Sequence, residues 1–192
     1  MMRKLAYLIF VVIVCAAPAR AGLIITFYSH TLGTYHMNVA FPHGFVTIKG
    51  TMEGGDPVDT NFGFTAPTVS PAMLWGPVEG KLDIEPDDYL AQGKPHFSFA
   101  ISDDQYRAIW AVAEKWRTYP QPSYDLETRN CVTFVKEIAV AAGLSVSNDR
   151  KFIYKPSEFL DDVAARNAER LARPGNRVFK PTQAPNASVS PN

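Results

Sequence analysis

Pro95-His96-Phe97-Ser98-Phe99-Ala100-Ile101-Ser102-Asp103-Asp104-Gln105-Tyr106 carries the chain from one hydrophobic period to another. Up to Ile101 the apolar residues Phe97, Phe99 and Ile101 alternate with His96, Ser98 and Ala100, the period of a half-buried strand. On the outer phase of that strand, His96 reads as a surface residue. From Ser102 the order Ser-Asp-Asp-Gln offers an N-cap, with Gln105 reaching back from the third helical position as in a capping box. Tyr106, Ile109, Trp110, Ala113 and Trp116 then recur at three- and four-residue spacing and make one apolar face of a helix. Two periods meeting at one serine predict an α+β chain, an antiparallel sheet followed by packed helices.

Working toward the N-terminus, residues 22–100 are rich in β-branched and aromatic side chains punctuated by Gly and Pro. Strands are expected over 23–27, 44–48, 61–65 and 95–101, with a weaker one over 78–82. Gly54-Gly55-Asp56-Pro57 and Ser70-Pro71 are turn material. Working toward the C-terminus, Pro120 and Pro122 end the first helix. A second helix is expected over 131–142, with Asn130 as N-cap and Gly143 as the stop. A third starts near Ser157 and turns Phe159, Leu160, Val163 and Ala164 inward. From Arg173 onward there is little to bury, so residues 173–192 are expected to be a disordered tail.

At the other end, Arg3 and Lys4 precede an apolar run that closes in Pro18-Ala19-Arg20-Ala21, the pattern of a cleavable secretion signal over residues 1–21. The run is too short to cross a bilayer, so the mature chain is expected to carry no transmembrane anchor. Cys15 is preceded by Val14 where a lipobox needs a small residue, which ranks a lipoprotein below a periplasmic or secreted protein. Residues 22–172 are then enough for one domain. The whole chain holds 19 basic and 19 acidic side chains. Losing Arg3, Lys4 and Arg20 with the signal leaves it mildly acidic, which argues against a nucleic-acid partner.

The mature chain keeps one cysteine, Cys131, so no internal disulfide can form. A lone thiol in an exported chain is either a small buried hydrophobe or a reactive group. Its place at a helix start, where unpaired N–H groups and the helix dipole favour an anion, suits a thiolate nucleophile. Such a nucleophile needs a base, and the histidines are His30, His36, His43 and His96. His43, entering a strand in Phe41-Pro42-His43-Gly44-Phe45-Val46-Thr47-Ile48, is the choice. His30 and His36 read as solvated loop or strand residues. No short His spacing suggests a metal, no Gly-x-Ser-x-Gly elbow suggests a serine hydrolase, and no cofactor is implied.

The segments His43-Gly44-Phe45-Val46-Thr47-Ile48-Lys49-Gly50, Asn61-Phe62-Gly63-Phe64, Tyr124-Asp125-Leu126, Asn130-Cys131-Val132-Thr133-Phe134-Val135 and Ala142-Gly143-Leu144 stand in this order. Together they resemble the permuted papain-like cysteine hydrolases, a group that includes NlpC-type cell-wall amidases and lecithin:retinol acyltransferase-like proteins. In permuted members the histidine strand precedes the cysteine helix, as here. The resemblance spans residues 35–165. It implies a papain-like α+β fold with Cys131 as nucleophile and His43 as general base and then acid. A third polar group from the strand after the histidine would orient the ring, and Asn61 or Asp59 could supply it. Tyr124 could border an oxyanion site or simply pack, and Phe62, Phe64 and Trp75 could line a groove or belong to the core.

The resemblance thus implies an exported cysteine hydrolase or acyltransferase acting on amide, ester or thioester bonds through an acyl-enzyme. Its substrate would be a peptide or acyl group of the cell envelope, with peptidoglycan peptides among the possibilities. The alternative is a catalytically silent envelope binding module that keeps the same fold.

Overall fold

The structure, a computed structural model, describes residues 22–30, 42–68 and 70–179. The signal segment, His36 and residues 180–192 lie outside the described residues. Six strands form one sheet: β1 (Gly22–His30), β2 (His43–Thr51), β3 (Pro57–Thr65), β4 (Lys81–Asp83), β5 (Lys94–Ile101) and β6 (Arg177–Val178). Their order is β4-β3-β2-β1-β5-β6, and every neighbouring pair is antiparallel. The three long helices cover one face: α2 (Asp103–Arg117) meets β4, α3 (Cys131–Ala141) meets β2 and β3, and α4 (Pro156–Arg166) meets β1 and β5. A short α5 (Ala168–Leu171) follows. The small α1 (Asp87–Ala91) lies on the opposite face, its Tyr89 ring against His30 and Phe45. The fold is therefore α+β, with an antiparallel sheet and helices packed on it.

Alternation explains the core. Leu23, Ile25 and Phe27 of β1, Val46 and Ile48 of β2, Phe62 and Phe64 of β3, and Phe97 and Phe99 of β5 all point to the helices and are fully buried. They meet Ile109, Ala113 and Trp116 of α2, Phe134, Val135 and Ile138 of α3, and Phe159, Leu160 and Val163 of α4. Each large apolar side chain so buried contributes about 1.5–3 kcal/mol. Phe62 and Phe64 are core, whereas Trp75 is 88 % exposed in the loop before β4.

The helix boundaries follow from their caps. Ser102 Oγ accepts from the Gln105 N–H at 3.2 Å, and Gln105 Oε1 accepts from the Ser102 N–H at 2.9 Å, the reciprocal pair expected there. Gly143 closes α3 with φ of +80°, a conformation that costs a residue with a Cβ. The strands run longer than alternation alone predicts. The weak strand expected over 78–82 is displaced: β4 pairs with β3 only from Lys81, while Val78 bridges to Tyr124. The sheet also passes the boundary expected at residue 172, because Arg177–Val178 pairs with Ser98 and Phe97.

Two histidines differ from their sequence reading. His96 is buried, not a surface residue, because β5 bulges there: Phe27 pairs with Phe97, but Tyr28 pairs with Pro95, so His96 is the extra residue. A bulge inverts the side-chain phase and re-aims His96 to the helix face. There its Nε2 meets Ser29 Oγ at 2.8 Å and its Nδ1 meets Asp161 Oδ1 at 2.6 Å. His30 is likewise buried, with Nε2 2.9 Å from the Tyr89 carbonyl. Burial holds both rings below the ordinary value of 6.5, outweighing the Tyr89 and Asp161 contacts that pull the other way.

These depressed values make the fold sensitive to acid. A histidine whose folded pKa is depressed binds its proton more readily unfolded, so its stabilisation is present above 6.5 and lost as pH falls toward the folded value. Urea midpoints are therefore expected to fall on acidification from pH 6.5 to 5. His96→Gln, which keeps a polar group without the titration, should flatten that slope. An unchanged slope in the variant would mean His96 takes no part.

Candidate functional site

Cys131 is the first residue of α3, and the local sequence fixes it there. Asn130 Oδ1 accepts from the Val132 and Thr133 N–H groups at 2.9 and 3.1 Å. Thr133 Oγ1 accepts in turn from the Asn130 N–H at 2.8 Å. The Asn130 amide also donates to the carbonyls of Leu126 and Ile153 at 2.8 and 2.9 Å, tying the helix start to two loops. Among the described residues the Cys131 N–H has no acceptor. The sulfur is buried, 3.9 Å from the Pro42 carbonyl.

His43 opens β2 with its ring on the sheet face away from the core, over Gly63 of β3. The sequence-predicted pair is brought close enough that Cys131 acts on the ionisation of the His43 ring. On its other side Nε2 lies 3.4 Å from Glu85 Oε1, with both side chains about nine-tenths buried. Nε2 has no well-aligned hydrogen-bond partner, so the Glu85 contact acts chiefly through charge. Burial alone would lower the His43 pKa. The neighbouring Cys131 thiol and then the carboxylate of Glu85 outweigh it and raise the value to about 9.

Asn61 is placed differently from the role the resemblance suggests. Its side chain grips the backbone of Glu85 at both ends: Oδ1 accepts from the Glu85 N–H, and Nδ2 donates to the Glu85 carbonyl, at 2.6 and 3.1 Å. Asn61 positions the residue that faces His43. Asp59, the other candidate, is exposed and pairs with Lys49 at 3.0 Å. Glu85 was missed because it follows a three-residue strand and belongs to no motif. An acid held extended by the following Pro86 is the only signal it offers.

Tyr124 borders Cys131. Its backbone pairs with Val78, its ring stacks on Phe64 at 5.7 Å, and its hydroxyl is held protonated by burial first and by the nearby sulfur second. A cleft of about 40 Å³ opens beside the sulfur, lined by Pro42, Tyr124, Leu126, Ile153, Tyr154 and Pro156, with no charged side chain among its described lining. The arrangement therefore gathers a sulfur, an imidazole ring, a carboxylate beside that ring, a backbone N–H and a phenol hydroxyl.

Among the described residues no group of three or more His, Cys, Asp or Glu side chains could hold a metal ion, and no helix is long and apolar enough to cross a membrane. Comparison with protein-family models and with curated proteins returns no match. Among solved structures, the chain is similar to the type VI secretion system effector TseH at 15% identity and a TM-score of 0.46, covering 76% of this chain and 88% of that one. That likeness is distant and carries no argument about the site.

Proposed function

We propose that the mature chain is a papain-like cysteine hydrolase or acyltransferase of permuted, NlpC-type topology, acting on an amide, ester or thioester. The observation that supports this reading is the placement of His43 between Cys131 and Glu85. The imidazolium is the counter-ion that a nucleophilic thiolate needs, and the Glu85 carboxylate keeps the ring oriented and charged.

The thiolate of Cys131 attacks the substrate carbonyl and forms a C–S bond. The oxyanion that develops lies against the Cys131 N–H and the Tyr124 hydroxyl, donors that burial makes effective. His43 gives its proton to the departing amine, alkoxide or thiolate as the carbonyl re-forms, leaving an acyl-enzyme. Water or an amine then attacks that thioester while His43 takes its proton, and the thiolate departs. The Glu85 side chain, 3.4 Å from Nε2, stabilises the charged ring. The uncharged cleft beside the sulfur, about 40 Å³, has room for the reacting carbonyl and the first atoms of an acyl or peptide group of the cell envelope. The compartment in this reading is the periplasm or the exterior, after removal of residues 1–21.

The test is the rate of iodoacetamide modification of Cys131 in the folded protein across pH 5 to 10, with His43→Ala alongside. An ordinary thiol is only a few per cent ionised at neutral pH. Fast modification at pH 6 to 7, reduced about tenfold or more in His43→Ala, is the expected result. A thiol that behaves the same in both proteins would falsify the enzyme reading and leave the silent binding module. Once a substrate is found, turnover is expected to fall as pH rises through about 9, where His43 loses the proton its leaving group requires.

A further inference from the structure

The cleft beside Cys131 is small, about 40 Å³. A water takes about 10–15 Å³ of such space and small-molecule sites run to about 300–1,000 Å³, so it holds a few waters and not a bulky substrate group. Most of its wall is fixed. Tyr124 and Pro156 are buried, and Pro42, Leu126 and Ile153 are partly buried. Tyr154 is the only exposed residue of the described lining, at 48 %.

Tyr154 also completes a bridge between two loops. Both are tied inside the protein, where the Asn130 amide donates to the Leu126 and Ile153 carbonyls. At the surface the Tyr154 hydroxyl donates to Glu127 Oε1, and Arg150 Nη2 donates to Glu127 Oε2 at 2.7 Å. One carboxylate thus receives two side chains of the 150–154 segment. Glu127 stands on a firm turn, since Asp125 Oδ1 accepts from the N–H groups of Glu127 and Thr128 at 3.0 and 2.9 Å. Leu126 and Ile153, the neighbours of the bridged residues, both line the cleft, so the bridge lies across its mouth.

We infer that Tyr154, held on Glu127, is a specificity-determining residue whose ring narrows the entrance to Cys131. Groups slender beside the reacting carbonyl, such as glycyl, alanyl or an unbranched acyl chain, reach the sulfur in preference to aromatic or branched ones. Wider groups enter only when the hydroxyl leaves Glu127, and that exchange sets the discrimination. The inference rests on the hydrolase reading and names its substrate class.

Two alkylating agents with the same reacting carbon test it on the folded mature protein: iodoacetamide and its N-phenyl derivative, with glutathione giving their intrinsic rate ratio. At about pH 9.5, above the ordinary thiol value of about 8.5, an unactivated thiol reacts as well, so the ratio reads access alone. The wild type is expected to disfavour the N-phenyl reagent by tenfold or more relative to glutathione. Tyr154→Phe and Glu127→Ala, on the two sides of the bridge, should each relieve that bias by about two- to tenfold, the net worth of one hydrogen bond. Tyr154→Ala should relieve it at least as far. Both positions are exposed, so the variants keep the fold. A wild-type ratio equal to that of glutathione would overturn the inference. So would a bias that survives in either Tyr154→Phe or Glu127→Ala, including the case where both rates move together and the ratio stays put. A thiol that proves unactivated at pH 6 to 7 would instead sink the enzyme reading, while the ratio still decides whether Tyr154 guards the entrance.

Discussion

Gly63→Ala is expected to lower iodoacetamide modification of Cys131 at neutral pH to the level of His43→Ala, with the sheet still folded. A Cβ at residue 63 would stand 2.6 Å from His43 Nε2, 3.1 Å from Glu85 Oε1 and 3.4 Å from His43 Cε1. The first of these distances is far inside van der Waals contact, so something must move. The backbone at Gly63 needs no left-handed conformation, and it pairs with Phe45 on one side and Asp83 on the other. The strand can accept alanine and the ring cannot. His43 is displaced from both its partners by a methyl group in the neighbouring strand. Overpacking of this kind costs about 1–3 kcal/mol, so urea unfolding should show a modest loss beside a large fall in thiol reactivity. Gly54→Ala, whose Cβ would meet nothing nearer than Asp56 Oδ2 at 3.8 Å, is the silent comparison. Wild-type alkylation in Gly63→Ala would mean that the ring has room the geometry does not give it.

The largest effect on stability is expected at Phe134→Ala. Phe134 is fully buried on α3, edge-on to Trp116 with ring centres 5.3 Å apart and tilted against Phe64 at 6.4 Å. Phe64 in turn stacks on Tyr124. Removing the ring leaves a cavity where α2, α3 and β3 meet, and such truncations cost about 3–5 kcal/mol. A domain of this size has about 5–15 kcal/mol in total, so the variant should unfold at much lower urea. A loss below about 1 kcal/mol would show that the core collapses around the site. Helix α3 begins at Cys131, so fraying from this loss should also slow alkylation at urea concentrations where the wild type is intact.

The parts of the fold visible in the sequence were those written in local chemistry. The Ser102 capping box, the Asn130 N-cap and the Gly143 stop each involve a side chain or φ angle within four residues of the feature it sets. Alternation located Phe97, Phe99 and Ile101 correctly on the inner face. It failed at His96 because a bulge shifts the phase by one residue and leaves no mark in the residue types around it. Cys131 and His43 could be singled out because a helix start favours a thiolate and a nucleophile of that kind needs an imidazole beside it. Glu85 could not. Its approach to His43 depends on Asn61, 24 residues earlier, taking hold of its backbone, a long-range contact between a polar side chain and an otherwise ordinary peptide unit.

That grip has a mechanical consequence. β4 pairs with β3 over only three residues, and the ladder ends at Asp83 opposite Gly63, so hydrogen bonds of the sheet do not reach Glu85. A single amide on β3 sets the register of the arm at that point, as a pin sets a hinge leaf. The arm is anchored again at Tyr89, whose ring packs on His30 and Phe45. Between two such pins, changes in length on the far side of β4, around exposed Leu74 and Trp75, are isolated from the carboxylate. The loop before β4 is thus free to lengthen, shorten or change composition from one descendant of this chain to another while the distance between Glu85 and His43 is conserved.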